Sequence, residues 1–141
     1  AHGLIFLPKL RFVNPPKNSL ISPFIRKLPD DLAGYENNLV HLIKDLRVHF
    51  KLPDLPVVVG ELGNMGEEAG EKMKMIRMAQ RRACERKEWK GTVSFVKTTP
   101  FARPKEESPN VGHGHHWFGN AESYFLIGDA LGKRMVSLLG N

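Results

Sequence analysis

PVVVGELGNMGEEAGEKMKMIRMAQRRACERKEWKGTVSFVKT, residues 56–98, decides the architecture. Pro56-Val57-Val58-Val59-Gly60 is a β-branched run between a proline and a glycine, apolar on both faces, as a buried parallel strand is. The loop Glu61-Leu62-Gly63-Asn64-Met65-Gly66 follows. From Glu67 to about Lys87 the acids Glu67, Glu68 and Glu71 come first and the cations Arg81, Arg82, Arg86 and Lys87 last. That order complements a helix dipole and predicts a helix. Its buried stripe is Ala69, Met73, Ile76, Ala79 or Gln80, and Ala83, while Arg77, Arg81, Arg82 and Lys87 form a solvated face. Thr92 to Thr98 reads as a second strand, with Val93, Phe95 and Lys97 on one face and Ser94 and Val96 on the other.

Working outward, Tyr35, Leu39, Leu42, Ile43, Leu46 and Phe50 recur at spacings of three and four, which predicts an amphipathic helix over 34–51 that ends before Pro53. After a polar, proline-containing loop over 99–119, Asn120 is placed to cap a last helix with Tyr124, Ile127, Leu131, Met135 and Leu138 on its apolar face. Gly128 and Gly132 permit close approach to a neighbour, and Gly140 marks the stop. Helix, strand, helix, strand, helix is the order of an α/β layer fold. Two strands are few for such a sheet, so its uncovered edge calls for the N-terminal segment or a second copy of the chain.

The 141 residues, 41% hydrophobic and 26% charged, suit one globular domain with its own core. Residues 1–29 form a separate segment, rich in proline and limited to short extended pieces at 4–7 and 11–13. Of the net charge of +6, this segment holds Lys9, Arg11, Lys17, Arg26 and Lys27 without one acid. Residues 30–141 carry the other 16 basic residues against 15 acidic ones, an ordinary balance that does not suggest a nucleic-acid partner. Nucleic-acid or anionic-surface binding would have to rest on residues 1–29 and would weaken steeply with salt. No run approaches the ~18 apolar residues of a membrane-spanning helix. Cys84 is the only cysteine, which excludes an internal disulfide and any multi-cysteine zinc site.

Gly112-His113-Gly114-His115-His116-Trp117 holds three of the six histidines. It lies between a strand's carboxyl end and a helix, where open α/β sheets place their sites, and imidazole takes up and returns protons near neutral pH. His113 to Gly132, HGHHWFGNAESYFLIGDALG, resembles the C-terminal block of the sialate O-acetylesterase-like branch of the SGNH hydrolases. Residues 35–47 (YENNLVHLIKDLR), 55–63 (LPVVVGELG) and Phe101-Ala102-Arg103 add to the resemblance, which spans roughly residues 35 to 139.

The resemblance implies a three-layer αβα fold that removes acetyl or related acyl groups from sugars, or hydrolyses a small ester, without a cofactor. It implies a serine nucleophile, a histidine base and an aspartate three residues before that histidine. His116 falls at the base, with His113 where the aspartate belongs and His115 between them; either imidazole can orient His116. Trp117, Glu61 and Asn64 are the substrate-binding candidates, although an aromatic such as Trp117 or Phe118 more often anchors a loop to the core than stacks on a sugar. A histidine orients an imidazole but does not stabilise imidazolium as a carboxylate does. Glu61, Glu107 or Glu122 is therefore expected to help.

The family's serine sits in a Gly-x-Ser block at the end of the first strand. Ser19, Ser22, Ser94 and Ser108 precede the histidine loop, and none has the flanking glycine of a sharp strand-to-helix turn. The expectation is a C-terminal portion of the esterase fold behind an unrelated basic leader, with little turnover alone. The rival reading is a non-enzymatic metal-binding or self-associating module, in which His113 and His115 share an ion and sheet edges pair in a homo-oligomer.

Overall fold

The computed structural model describes residues 34–140; the extended pieces expected at 4–7 and 11–13, and Ser19 and Ser22, lie outside the described residues. Helix α1, Tyr35–Phe50, ends where Lys51 turns left-handed (φ 55°, ψ 35°) and the N–H groups of Lys51 and Leu52 close on Val48 and Arg47. Such a turn stops a helix, and Pro53 forbids its resumption. The inward line of α1 is Val40, Ile43 and Arg47, spaced three and four apart on one face. Leu42, expected inside, is 37% exposed because the turn places it beyond that line.

Strand β1, Val57–Gly60, and strand β2, Val93–Val96, pair in parallel, with Val57 opposite Val93 and Gly60 opposite Val96. Helix α2, Glu71–Cys84, supplies the crossover. It starts four residues later than its charge pattern suggests. Met65 and Gly66 take positive φ, Glu67 and Glu68 complete a single 3-10 turn, and Gly70 is extended (φ −63°, ψ 162°). A helix nucleates only beyond such a break.

The core beneath the sheet joins Val40 and Ile43 of α1, Ala83 and Cys84 of α2, Val57 and Val59 of β1, Val93 of β2, and Trp89. Trp89 is 3% exposed and donates its indole N–H to the Ala83 carbonyl (2.6 Å). Arg47 crosses this core beneath the strands. Its guanidinium lies 5.1 Å from the Trp89 ring centre and donates to the Leu55 carbonyl (2.9 Å) and the Thr92 hydroxyl (2.6 Å). One cation thereby ties together the residues that lead into both strands.

Burial pushes the Cys84 thiol up to about 12 from its ordinary value near 9, and burial likewise raises the Tyr35 phenol. The folded state keeps the thiol protonated where the unfolded chain has already released its proton. Stability is thus expected to fall as pH rises above 9, by up to about 1.4 kcal/mol per pH unit for Cys84 alone. Urea midpoints at pH 8 and 10.5 should show the loss, and Cys84→Ala should flatten it. An unchanged pH slope in that variant refutes the assignment.

Helix α3, Ala121–Leu139, opens as expected, with the Asn120 side chain accepting the Ser123 N–H (3.1 Å). Val57 and Val59 face the core below; Gly60, of opposite parity, meets Leu131 of α3 (a Cβ there would lie 3.4 Å from its Cδ2). Gly128 and Gly132 serve no close approach, since nothing lies within 4 Å of a Cβ at either. Tyr124, expected on the buried face, is 48% exposed, and its hydroxyl has another partner described below.

The two sheet edges differ. Val57 N–H donates to Thr92 O and Glu61 N–H to Val96 O, so odd-numbered residues of β1 face β2 and Gly60 and Leu62 face away. The buried Gln80 carboxamide donates to Gly60 O (3.3 Å) and accepts Leu62 N–H (3.0 Å), the groups a neighbouring strand would otherwise take. On β2 the even-numbered residues face β1, leaving the backbone of Val93, Phe95 and Lys97 directed outward. No strand pairs with that edge among the described residues.

Candidate active site

Both strands run out into loops at the same end of the sheet, and the two loops meet. After β1, Gly63 lies so close to Thr98 and the Thr99 amide that a Cβ would collide with both. After β2, residues 99–119 fold as short 3-10 turns rather than open loop. A Cβ on Gly114, inside the histidine cluster, would strike Met65 Sδ of the first loop.

Two buried charged residues hold this junction. Arg77, 7% exposed, is not on the solvated face assigned to it; its guanidinium donates to the carbonyls of Leu62 (2.7 Å), Gly66 (2.8 Å) and Asn64 (2.8 Å). The five donors of its planar fork match three converging carbonyls that no lysine would satisfy together. Glu61, 8% exposed, accepts on Oε2 the Thr98 N–H (3.0 Å), the Thr99 N–H (2.8 Å) and the Thr99 hydroxyl (2.5 Å), while Thr98 Oγ1 donates to its backbone carbonyl (2.8 Å). A carboxylate on the first amides of the Thr99–Phe101 turn is a cap of the usual charge-assisted kind. Asn64 is buried, and its backbone is engaged by Arg77.

The histidines are exposed at the rim, in the turn Gly114–Gly119 and its cap His113. Ring centres lie 4.3 Å apart for His115 and His116, 5.6 Å for His113 and His115, and 6.4 Å for His113 and His116. Trp117 (φ 54°) and Phe118 (φ 52°), both half-buried, stand consecutively in the left-handed region. That conformation costs non-glycine residues about 1–3 kcal/mol each and persists only where surroundings enforce it. Here Phe118 N–H donates to His113 O, Asn110 N–H to Phe118 O, and the Tyr124 hydroxyl to His116 O (2.8 Å). Nothing in the apolar spacing marks Tyr124 for this task; its place one turn beyond the Asn120 cap is the available signal.

The carboxylates expected to assist His116 are engaged elsewhere. Glu61 serves Thr98 and Thr99, and Glu122 forms a two-pronged pair with Arg103 (both 2.8 Å) that holds its carboxyl below the usual range. Glu107 is exposed. Among the described residues no hydrogen bond or ion pair joins an imidazole of the cluster to a carboxylate or a serine. The serines of this region are structural: Ser108 donates to Pro104 O and accepts from Asn120, and the fully buried Ser123 donates to Phe101 O (2.7 Å). Among the described residues no group of three or more His, Cys, Asp or Glu could hold a metal ion, so an ion shared by His113 and His115 has no support there. No described helix is long and apolar enough to cross a membrane.

A family model described as carbohydrate esterase, sialic acid-specific acetylesterase, matches residues 27–136. Neither the curated proteins nor the solved structures yield a match. The matched span contains both strands, the Glu61 and Arg77 junction and the whole histidine turn. The chain belongs to the sialic acid-specific acetylesterase family of carbohydrate esterases.

Proposed function

We propose that the chain takes part in removing acetyl groups from acylated carbohydrates, with His116 as general base, His113 or His115 orienting it, and Trp117 lining the acyl or sugar pocket. The observation that carries this reading is three exposed imidazoles gathered at the sheet's carboxyl end in a chain whose family hydrolyses such esters. In this scheme His116 takes the proton of a serine-type hydroxyl as its oxygen attacks the acetyl carbonyl, and returns it to the departing sugar oxygen. A water, deprotonated in the same way, then releases acetate and restores the hydroxyl. The hydroxyl itself lies outside residues 34–140. The two-strand unit belongs, on this reading, to a larger three-layer αβα arrangement, and Glu61 and Asn64 shape the substrate pocket from the adjoining loop.

Hydrolysis of a small aryl acetate by the chain, beside His116→Ala and with a serine-directed fluorophosphonate probe read by mass spectrometry, tests the proposal. The expected result is slow hydrolysis that drops at least about 100-fold in His116→Ala, with no label on any serine between residues 34 and 140. A rate unchanged by the substitution, or labelling of Ser94, Ser108, Ser123 or Ser137, overturns it.

A further inference from the structure

The open edge of β2 forms the floor of a groove of about 880 Å³ between α2 and α3. Its floor is the strand itself, Val93 to Lys97, with Phe95 half-buried there and the Arg81 guanidinium 5.5 Å from its ring centre. Glu85 is the one acid among the lining residues. Of the cations on the walls, Arg86, Lys97 and Lys133 pair with Glu36, Glu67 and Asp129. Arg81, Lys87, Lys90 and Arg134 are exposed and have no acidic partner among the described residues.

The outward N–H and C=O groups of Val93, Phe95 and Lys97 are a template for one more strand. The β1 edge is partly closed by Gln80, whereas among the described residues the β2 edge carries no such closure. Charge selects the occupant. Residues 1–29 bring five cations and no acid, and a second copy pairing through the same edge brings the same four unpaired cations, so both are repelled. We infer that the β2 edge is a docking site for an extended acidic segment of a different protein, which pairs with the backbone of Val93, Phe95 and Lys97 and sets its carboxylates against Arg81, Lys87, Lys90 and Arg134. Main-chain bonds supply affinity in such strand addition, and the flanking charges supply selection.

The test uses the full chain and a fluorescein-labelled octapeptide of alternating Glu and Val, followed by anisotropy and by amide hydrogen exchange. The peptide should bind, its lysine counterpart should not, and the amides of Val93, Phe95 and Lys97 should slow at least tenfold while those of Ser94 and Val96 change little. Lys87→Glu with Arg134→Glu, both at exposed positions and checked for fold by circular dichroism, should weaken binding at least tenfold. N-methylation of alternate peptide amides should do the same. Three outcomes overturn the inference: no binding, binding unaffected by the charge reversal, or equal binding of the N-methylated peptide or heparin without slowing of those amides. The last would mark a polyanion site that reads charge alone.

Discussion

Arg77→Met should lower the stability of the fold by about 4 kcal/mol, a drop in Tm of roughly 15 °C. Methionine fills much of the same volume, so the loss comes from polar bookkeeping rather than a cavity. The carbonyls of Leu62, Asn64 and Gly66 lose the donors that now reach them at 2.7–2.8 Å. A hydrogen bond to a charged group contributes about 1.5–3 kcal/mol, and an orphaned buried acceptor costs about 1–3 kcal/mol, partly relieved here by water entering the loop. Arg77→Lys should recover only a minor part, because a single ammonium does not span three carbonyls. Thermal denaturation of the three proteins decides the matter; a loss under 1 kcal/mol for Arg77→Met would mean that the loop keeps its shape without the arginine.

Glu61→Ala is the second large effect, expected at about 3 kcal/mol. It leaves the Thr98 and Thr99 amides and the Thr99 hydroxyl without their shared acceptor in a region where Thr98 is 1% and Thr99 5% exposed. Glu61→Gln keeps one acceptor oxygen and should cost less than half as much. The pair of variants also separates two roles. If Glu61 is a scaffold, ester hydrolysis tracks the folded fraction in both variants. If it contacts substrate, Glu61→Gln raises KM in a protein that remains folded, and the ratio of kcat/KM to folded fraction exposes the difference.

How much of this was legible in the sequence depends on which force decides each part. The strand Val57–Gly60 is legible because a β-branched run bounded by proline and glycine suits a strand buried on both faces, and the Asn120 cap is written in local chemistry. Charge order extends back to Glu67, whereas the extended backbone at Gly70 sets the start of α2 at Glu71. By composition an arginine on a helix is a surface residue; the burial of Arg77 follows from three carbonyls contributed by a loop eleven to fifteen positions away, which no periodicity encodes. The histidine cluster was found by residue type alone. Its supports, Tyr124 and the left-handed Trp117–Phe118 pair, depend on long-range packing, as does the engagement of Glu61 and Glu122 away from His116.

Helix α3 is held unevenly. Leu131 and Ser123 are buried, while Tyr124, Phe125, Val136 and Leu139 face outward at 48–72% exposure. The valine sheet, α1 and α2 share one buried core, while α3 packs along both strands with Leu131 against Gly60 and is tied to the loop by the Ser123 bond to Phe101. Native-state hydrogen exchange is expected to show α3 and the histidine turn opening ahead of the βαβ kernel and α1; equal protection of all four elements would refute the division. The histidine turn is joined to this more exposed helix, so its amides are expected to exchange by partial opening faster than those of the valine sheet.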